Sequence, residues 1–411
     1  MKSFKTRLEL NNKQTTLANK HAGVARYAYN WSVKVCDDAF KSKEKIPSAI
    51  DLHKKFVKEV KSENVWLYEV SKCSPQQSFR NLETSYKNFH KKQSNFDYKK
   101  TKKIKIKGEI KYVLEGLPQF KKKGQHDSFY LEGKIIVNKD KIKVPKFGWL
   151  KCSEVLPDYE IKNVVISKTA NQWFISYKIP HENEITNKTK GIVGVDLGIK
   201  TLATLSDGKI FDAVKPYKKN KRKLRILQRR LSKKQKGSNN HKKACQKVAK
   251  LHYRIANIRK DSTHKLTTYL SKNHTEIVIE DLNVKGMSKN HKLASAILDG
   301  GFYEFRRQLE YKCKWYGSTL TIVDRFYPSS KTCSCCGNIK RDLKLSDRVY
   351  ECHNCGLVID RDLNAAINLR NKSVSYTESA CGVSEQLSPN GFKDAMNQEA
   401  NINVEHCIIF V

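Results

Sequence analysis

Hydrophobic and polar residues alternate with two different periods along this chain, and the changes of period divide it. Residues 2–10 alternate as in a β-strand, whereas residues 13–42 repeat their apolar side chains at helical spacing. A further amphipathic helix is predicted behind Ser74 and Pro75, which supply an N-cap and a first-turn proline. Residues 11–96 are therefore predicted to form a helical module.

Short alternating strands return after a lysine-dense stretch. Gly, Asn-Lys-Asp and Ala-Asn-Gln turns separate five of them, at residues 129–131, 134–137, 141–144, 163–168 and 173–179. These strands predict a small antiparallel β-barrel of residues 97–183. If residues 1–10 close that barrel, the helical module is an insertion in it.

Three later apolar segments each end at a carboxylate. Asp196 and Glu280 follow buried-strand patterns, and Asp360 and Asp362 stand before an apolar helix pattern. Any one of these acids alone could be a turn residue or a helix cap. Acids spaced 84 and then 82 residues apart, each at the end of an apolar segment, argue against three independent caps.

Carboxylates on three separate elements can converge on metal ions. Two Mg²⁺ ions about 3.5–4 Å apart can activate a water molecule and stabilise the leaving oxygen when a phosphodiester is hydrolysed. Bunched carboxylates repel one another without metal, so chelation is expected to abolish such activity rather than reduce it. The acids therefore predict a metal-dependent nuclease site.

Four cysteines have the spacing of a zinc ribbon. Cys333 and Cys336 are separated by 15 residues from Cys352 and Cys355, and a glycine follows each pair. Cys335 could compete as a ligand, but the first two cysteines preserve the two-residue spacing of both pairs. A closed four-thiolate site leaves no open coordination position, so a structural Zn²⁺ is predicted.

The charge balance indicates the kind of partner. The chain has 80 Lys and Arg residues against 41 Asp and Glu residues, a formal net charge of +39, which favours a nucleic acid. A membrane surface could attract the same charge, but no run of about 18 apolar residues and no signal-peptide core is found. The chain has 12 cysteines, and most of those outside the ribbon are scattered singly, which favours a reducing cytoplasm.

The positive charge is concentrated in one segment. Residues 215–260 contain 19 Lys or Arg residues and no acid, with apolar seams that predict two helices joined at residues 237–240. A basic helical hairpin is therefore expected at residues 215–272. Residues 373–411 lack clear periodicity and are predicted to be a weakly structured tail.

Candidate nucleic-acid contacts are exposed amide or cationic side chains, for which a solvated polar face remains the alternative. They are Gln76, Gln77, Arg80, Lys87, Lys121, Lys122, Arg222, Arg225, Arg229, Arg230 and Lys331.

Several sequence motifs together resemble one family. They are Gly-Val-Asp-Leu-Gly at 194–198, Ile-Glu-Asp-Leu at 279–282, the cysteine pairs in Pro-Ser-Ser-Lys-Thr-Cys-Ser-Cys-Cys-Gly and Cys-His-Asn-Cys-Gly, and Asp-Arg-Asp-Leu-Asn-Ala-Ala at 360–366. The pattern resembles TnpB, the OrfB protein of insertion sequences and a relative of compact CRISPR type V effectors. The likeness extends over nearly all of residues 1–372.

The resemblance implies an α+β multidomain fold. A RuvC-type, RNase H-like nuclease domain would occupy residues 184–327 and 358–372, with the zinc ribbon inserted at 328–357. The predicted barrel would be a wedge-like domain, and residues 11–96 would be its recognition insert. In the family, the three catalytic acids and Mg²⁺ ligands correspond to Asp196, Glu280 and Asp362, the last because it directly precedes the Leu-Asn-Ala-Ala run.

The function implied is that of an RNA-guided DNA endonuclease of a transposable element. A guide RNA transcribed from the element would pair with double-stranded target DNA, and the barrel and insert would read a short flanking motif. One copy of the protein is expected in the RNA complex, in a prokaryotic cytoplasm near the nucleoid. A compact CRISPR effector, a transposase acting without RNA, and a DNA-binding transposition protein or repressor are the alternatives.

Overall fold

The computed structural model describes residues 2–94, 101–106, 109–114, 116–125, 127–344 and 346–380. The chain divides into two compact units. The first contains residues 1–185 and 214–264, and the second contains residues 186–213 and 265 onward. The predicted tail of residues 373–411 begins inside a helix that continues to Ala380, and its remainder lies outside the described residues.

An antiparallel sheet of seven strands forms the core of the first unit. The seven strands are β1 (Lys2–Glu9), β4 (Ser128–Glu132), β5 (Ile136–Asn138), β6 (Lys141–Val144), β7 (Gly148–Cys152), β8 (Asn163–Thr169) and β9 (Gln172–Ile179). A separate hairpin is formed by β2 (Thr101–Ile106) and β3 (Glu109–Leu114). The order in the sheet is β4-β8-β9-β1-β7-β6-β5. The first strand therefore lies in the centre of the sheet, paired with β9 and β7.

A closed barrel is not confirmed. Strands β4 and β5 form the two edges of the sheet, and no pairing between them occurs in the described part of the chain. Closure would require β4 and β5 to pair with each other, which depends on the tilt and stagger of all seven strands rather than on the alternation within any one of them.

The helical module follows β1 directly. It contains α1 (Asn12–Lys41), α2 (Ala49–Phe56) and α3 (Cys73–Ser94), whose apolar faces share one core. Asn11 and Gln14 form a reciprocal capping box at the start of α1. Helix α3 begins one residue before the predicted N-cap Ser74, and it is the Ser71 hydroxyl that accepts the Cys73 N–H, at 3.3 Å.

His21 joins the module to the sheet as a neutral imidazole. Its side chain is fully buried, its Nδ1 lies 2.9 Å from the Leu17 carbonyl oxygen, and the Ser71 N–H donates to its Nε2 at 3.0 Å. The ring also packs against Phe129 and Phe147. Burial lowers the pKa of His21 to about 4, because a charged ring would lose its hydration.

We predict that this histidine makes the protein lose stability in mild acid. The folded-state pKa lies below the unfolded value near 6.5, so the contribution is complete above that pH and is lost as the pH falls towards 4. Between pH 7.5 and 5 the free energy of unfolding of the wild type should fall by about 2 kcal/mol more than that of His21→Gln. Denaturant titrations at each pH, followed by tryptophan fluorescence, measure the free energy of unfolding. The same pH dependence in both proteins would contradict the prediction.

The predicted basic hairpin is present as two helices, α4 (Pro216–Ser232) and α5 (Asn239–Asn273). Leu224 of α4 packs against Leu251 and Ile255 of α5. Residues 214–264 group with the first unit, whereas the sequence assigned residues 215–272 to the nuclease domain. Within this unit, the Phe174 ring of β9 contacts the Tyr253 ring of α5, with centroids 5.8 Å apart.

The second unit is built on a mixed five-stranded sheet. Its elements are β10 (Lys190–Leu197), β11 (Thr201–Leu205), β12 (Ile210–Asp212), β13 (His274–Glu280), α6 (Val284–Met287), α7 (Ala294–Gly300), α8 (Phe302–Tyr316), β14 (Thr319–Val323), β15 (Val349–Glu351), β16 (Val358–Asp360) and α9 (Arg361–Ala380). The order is β12-β11-β10-β13-β14, in which β10, β13 and β14 are parallel. Strands β15 and β16 pair separately within the ribbon.

The two faces of this sheet have different cores. Helices α7 and α8 and the last turns of α5 cover one face, while α9 packs on the other through Leu369. None of the helices in the described ranges has an apolar stretch long enough to cross a lipid bilayer.

Candidate active site and metal centre

Strand alternation places two of the predicted acids on the same face of the second sheet. Val195 of β10 faces the core that contains α8, so the next residue, Asp196, faces the opposite side. Ile279 of β13 is the register partner of Val195 and faces that same core, so Glu280 also faces the opposite side. Asp196, one residue before the end of β10, and Glu280, the last residue of β13, therefore lie on adjacent parallel strands, which are about 4.8 Å apart in sheets.

Helix α9 approaches this face at Gly194. A Cβ atom at Gly194 would lie 1.9 Å from the Ala366 carbonyl oxygen, so only glycine allows the helix to come this close. Asp196 lies two residues beyond Gly194 on the same face of β10. Asp362 lies one helical turn before Ala366, in the first turn of α9. The contact thus brings the third acid to the other two.

The electrostatics of the site agree with this convergence. Burial raises the pKa of Asp196 to about 7, with further contributions from the charges of Asp362 and Glu280. Burial and the neighbouring Asp281 charge also raise the pKa of Glu280. Arg361 opposes these effects at Asp196 without cancelling them. Carboxyls whose ionisation is disfavoured in this way are suited to binding a cation.

Asp360 has a structural role that separates it from Asp362. Its Oδ1 accepts the backbone N–H groups of Asp362 at 2.9 Å and Leu363 at 3.0 Å. Asp360 therefore caps the N-terminus of α9. The cap fixes the first turn of the helix, so the Asp362 carboxylate is not needed to cap it.

Asp281 is likewise held by other groups. Arg306 Nη1 donates to its carboxylate at 2.5 Å, and Arg325 donates to its other oxygen. These two guanidinium groups, Arg325 foremost, hold the pKa of Asp281 below its usual range. Asp281 is therefore held ionised by two arginines, whereas the adjacent Glu280 is not paired in this way with any residue that the structure describes.

A cationic cavity of about 410 Å³ opens beside Glu280. Lys285, Arg306 and Arg325 line it, together with Arg307, which is paired with Glu304. These side chains were not among the sequence-predicted site residues. The sequence signal for these cations is Asp281, the second acid directly after Glu280. A partly buried carboxylate beside a metal ligand needs a cationic partner, so arginine or lysine side chains were to be expected nearby.

The four predicted zinc cysteines meet at one point. The sulfur atoms of Cys333, Cys336, Cys352 and Cys355 all lie within 4.8 Å of one another. Zinc–sulfur bonds of about 2.3 Å in a tetrahedron require sulfur atoms roughly 3.8 Å apart, so the donor set fits Zn²⁺. Cys335 is exposed and lies outside this group.

Two asparagines attach the ribbon to α9. Asn364 accepts the Ser334 N–H at 3.0 Å and donates to the Thr332 carbonyl at 2.7 Å. Asn368 donates to the carbonyls of Ser329 and Thr332. Both asparagines are buried, so each bond is protected from water. The ribbon is thus fixed to the helix that carries Asp362. Sequence reasoning missed this role, although asparagines four residues apart within an apolar helix face were a signal for it.

The predicted nucleic-acid contacts fall into two groups. Arg222, Arg225, Arg229 and Arg230 on α4 are exposed, as are Arg80, Lys87 and Lys122. Lys87 also pairs with Glu83 at 3.2 Å, and the other predicted contacts are engaged within the protein. Lys121 lies over the Tyr29 ring, 3.9 Å from its centroid, and burial lowers its pKa.

The remaining three predicted contacts make local hydrogen bonds. Gln76 lies 3.4 Å from His53, Gln77 donates to Asn81 at 3.0 Å, and Lys331 donates to the Arg341 carbonyl at 3.1 Å. These local bonds are compatible with a further contact to nucleic acid, which stays a prediction for these three residues and for Lys121.

Three segments match known family models. Residues 174–291 match OrfB_IS605, described as "Probable transposase", and residues 302–369 match a Cas12f1-like TNB domain. Residues 1–45 match the helix-turn-helix domain of OrfB_IS605 proteins, although the structure has strand β1 and the single helix α1 there.

Curated relatives match over nearly the whole chain. "Putative RNA-guided DNA endonuclease InsQ" of Escherichia coli (strain K12) is 34% identical, covering 93% of this chain and 94% of the relative. A "Putative RNA-guided DNA endonuclease" of Streptomyces pristinaespiralis is also 34% identical, covering 93% and 91%. Among solved structures, Cas12f1 in its complex with sgRNA and target DNA aligns with a TM-score of 0.51 at 15% identity, covering 88% of this chain and 84% of that one. This last match supports the fold alone.

Proposed function

The chain belongs to the TnpB (OrfB) family of RNA-guided DNA endonucleases, and we propose that it hydrolyses DNA phosphodiesters at Asp196, Glu280 and Asp362. The convergence of these carboxylates at Gly194 and Ala366 is the observation that carries the proposal. Independent turn residues or caps would have no reason to lie close enough for the charges of Glu280 and Asp362 to raise the pKa of Asp196.

The three carboxylates would hold Mg²⁺, for which oxygen anions are suitable ligands. When bound, Mg²⁺ supplies a nucleophilic water and stabilises the charge that develops on the phosphate. The protein's own part is to present the acids ionised and in place. Asp360 fixes the first turn of α9, and Arg306 and Arg325 prevent Asp281 from competing for metal. The arginines also place positive charge beside Glu280, where a phosphate can approach.

A guide RNA and double-stranded target DNA are the proposed partners. The exposed arginines of α4 would contact the phosphate backbone, while base pairing supplies sequence specificity. We also propose that the sheet and the helical module read a short flanking DNA motif. One copy of the protein would bind each RNA, and the complex would act in a prokaryotic cytoplasm. In the ribbon, Zn²⁺ would be structural, since the four thiolates leave no open position.

The test is cleavage by the purified protein with its co-purifying RNA. Sequencing that RNA identifies the guide, and a plasmid that carries the matching target should be cut when Mg²⁺ is present. Binding without cleavage would favour a repressor, and DNA joining without RNA would favour a transposase. Guide RNA from a repeat array rather than the element's end would favour a CRISPR effector, the alternative suggested by the Cas12f1-like match of residues 302–369.

Two neighbouring acids on α9 offer a matched comparison. Asp362→Asn should reduce the cleavage rate by roughly a thousandfold, about 4 kcal/mol of activation free energy, because it removes a metal ligand. Asp360→Asn should change the rate less than about fivefold, since asparagine caps a helix as well as aspartate does. Single-turnover cleavage with both variants tests the assignment. If Asp360→Asn lost more of the cleavage rate than Asp362→Asn, Asp360 would be the metal ligand and Asp362 would not.

A further inference from the structure

A cleft in the first unit has a composition that the nuclease site does not explain. Lys5 and Arg7 alternate with core residues of β1, so both lie on the outer face of the sheet. Phe174 of β9 is the register partner of Arg7 and lies on that same face. Helix α5 passes over this face and encloses a space of about 690 Å³.

The side of α5 that lines the cleft is polar rather than apolar. The lining residues are Lys250, Tyr253, Arg254, Asn257 and Ile258, which recur at one-turn spacing. A helix that packs on a sheet normally presents apolar residues to it. Here two cations of α5 face two cations of β1, and among the described residues Glu154 is the only acidic side chain in the lining.

Such a cleft is suited to a polyanion. Lys5, Lys250 and Arg254 take part in no ion pair within the described ranges, and Arg7 pairs with the exposed Glu9 at 3.4 Å. Like charges that face each other across a narrow space repel, and phosphates between them would remove that repulsion. The space is too small for a duplex but has room for one or two nucleotides.

An aromatic side chain lies among the cations. Tyr253 is partly exposed in the cleft, and its ring contacts the Phe174 ring with centroids 5.8 Å apart. Lys5 lies 5.0 Å from the centroid of the Phe174 ring. Aromatic platforms between cationic side chains are how proteins hold single-stranded nucleic acid, with bases stacked and phosphates neutralised.

We propose that this cleft binds an unpaired segment of RNA, with one base stacked on Tyr253 and the adjoining phosphates held by Lys5, Arg7, Lys250 and Arg254. The inference rests on the proposed function, in which the protein binds a guide RNA. Asn257, Gln172 and Glu154 supply hydrogen-bonding groups that a ribose 2′-hydroxyl can use and a deoxyribose cannot.

The first test is binding of a ten-nucleotide oligouridylate to the full-length protein freed of nucleic acid. Tyr253→Leu keeps an apolar contact with Phe174 but removes the stacking ring, and should weaken binding about tenfold. Tyr253→Phe should restore it. The double variant Lys250→Ser/Arg254→Ser should weaken binding by at least as much.

A matched control lies on the same helix. Lys243 and Lys247 are exposed, have the same four-residue spacing, and do not line the cleft. Lys243→Ser/Lys247→Ser removes the same charge and should weaken binding less than twofold. An equal loss in both double variants, or no loss with Tyr253→Leu, would overturn the proposal.

Crosslinking locates the RNA. A 4-thiouridine version of the probe should attach to the peptide that contains Tyr253, and the deoxy oligonucleotide should compete less well than RNA. Attachment elsewhere, or tighter binding of the deoxy strand, would refute an RNA site in the cleft. Because these measurements need no Mg²⁺ and no cleavage, they can fail while DNA hydrolysis stands, and hydrolysis can fail while they succeed.

Discussion

Replacing Asp196 by asparagine is expected to abolish DNA cleavage and, at the same time, to stabilise the metal-free protein. Asparagine keeps the size of the side chain but has no charge to offer a metal ion. The loss of cleavage should be a thousandfold or more, equivalent to about 4 kcal/mol. Binding of guide RNA and target DNA should be unchanged, because the substitution leaves the cationic surfaces intact.

The gain in stability follows from the electrostatics of the same residue. Burial, Asp362 and Glu280 raise the pKa of Asp196 to about 7. In the unfolded chain the Asp196 carboxyl ionises with a pKa of 3.8, well below the folded value of about 7. The free energy of unfolding of the metal-free protein should therefore fall as the pH rises from about 4 to 7. Asparagine removes this cost. At pH 8 we expect a gain of about 2 kcal/mol, reduced from a larger value because the residue is partly exposed to solvent.

Asp207 provides the control. It lies in the same unit, and its bond to Lys190 at 2.7 Å helps to hold its pKa below the usual range. Asp207→Asn should therefore cost stability, by less than about 1 kcal/mol, and leave cleavage unchanged. Thermal unfolding with EDTA and with Mg²⁺ separates the cases, since Mg²⁺ should stabilise the wild type more than Asp196→Asn. Normal cleavage by Asp196→Asn would remove the site assignment, and lower metal-free stability would refute the electrostatic argument.

The acidic residues were predictable because their positions depend on local patterns. An apolar run that ends at Asp196, another that ends at Glu280, and parallel strands between them are sufficient to bring two carboxylates together. The role of Gly194 was not predictable. It depends on a close helix contact between segments more than 170 residues apart in sequence.

Two predictions depend on tertiary features that a local sequence pattern does not contain: closure of the barrel, which is not confirmed, and the surroundings of the proposed nucleic-acid contacts, which stay predictions. Alternation predicts that a strand exists, but whether the two edge strands of a sheet pair with each other depends on the tilt and stagger of the whole sheet. For Lys121, a lysine-rich sequence indicated an exposed phosphate contact, whereas tertiary packing places its ammonium group over Tyr29. A long side chain can stack or snorkel, and sequence alone does not distinguish these outcomes.

The ribbon is expected to control cleavage through α9. Cys352→Ser removes one of four thiolates and should lower the zinc content from one ion per chain to a small fraction of that value. The ribbon would then unfold locally, and the loop carbonyls that Asn364 and Asn368 contact would no longer be fixed. We expect cleavage to fall at least a hundredfold as Asp362 loses its orientation, while amide exchange in the sheet of the second unit remains slow.

Two further variants separate zinc binding from its consequence. Cys335→Ser changes a cysteine in the same ribbon that lies outside the four-sulfur group, so zinc content and cleavage should both remain normal. Asn364→Ala should retain zinc but lose part of the cleavage rate, because it breaks the attachment between the ribbon and α9 without touching a thiolate. Metal analysis by mass spectrometry and single-turnover cleavage give both readouts. Full cleavage by zinc-free Cys352→Ser would show that Asp362 is held by α9 and Asp360 alone, and that the ribbon acts elsewhere.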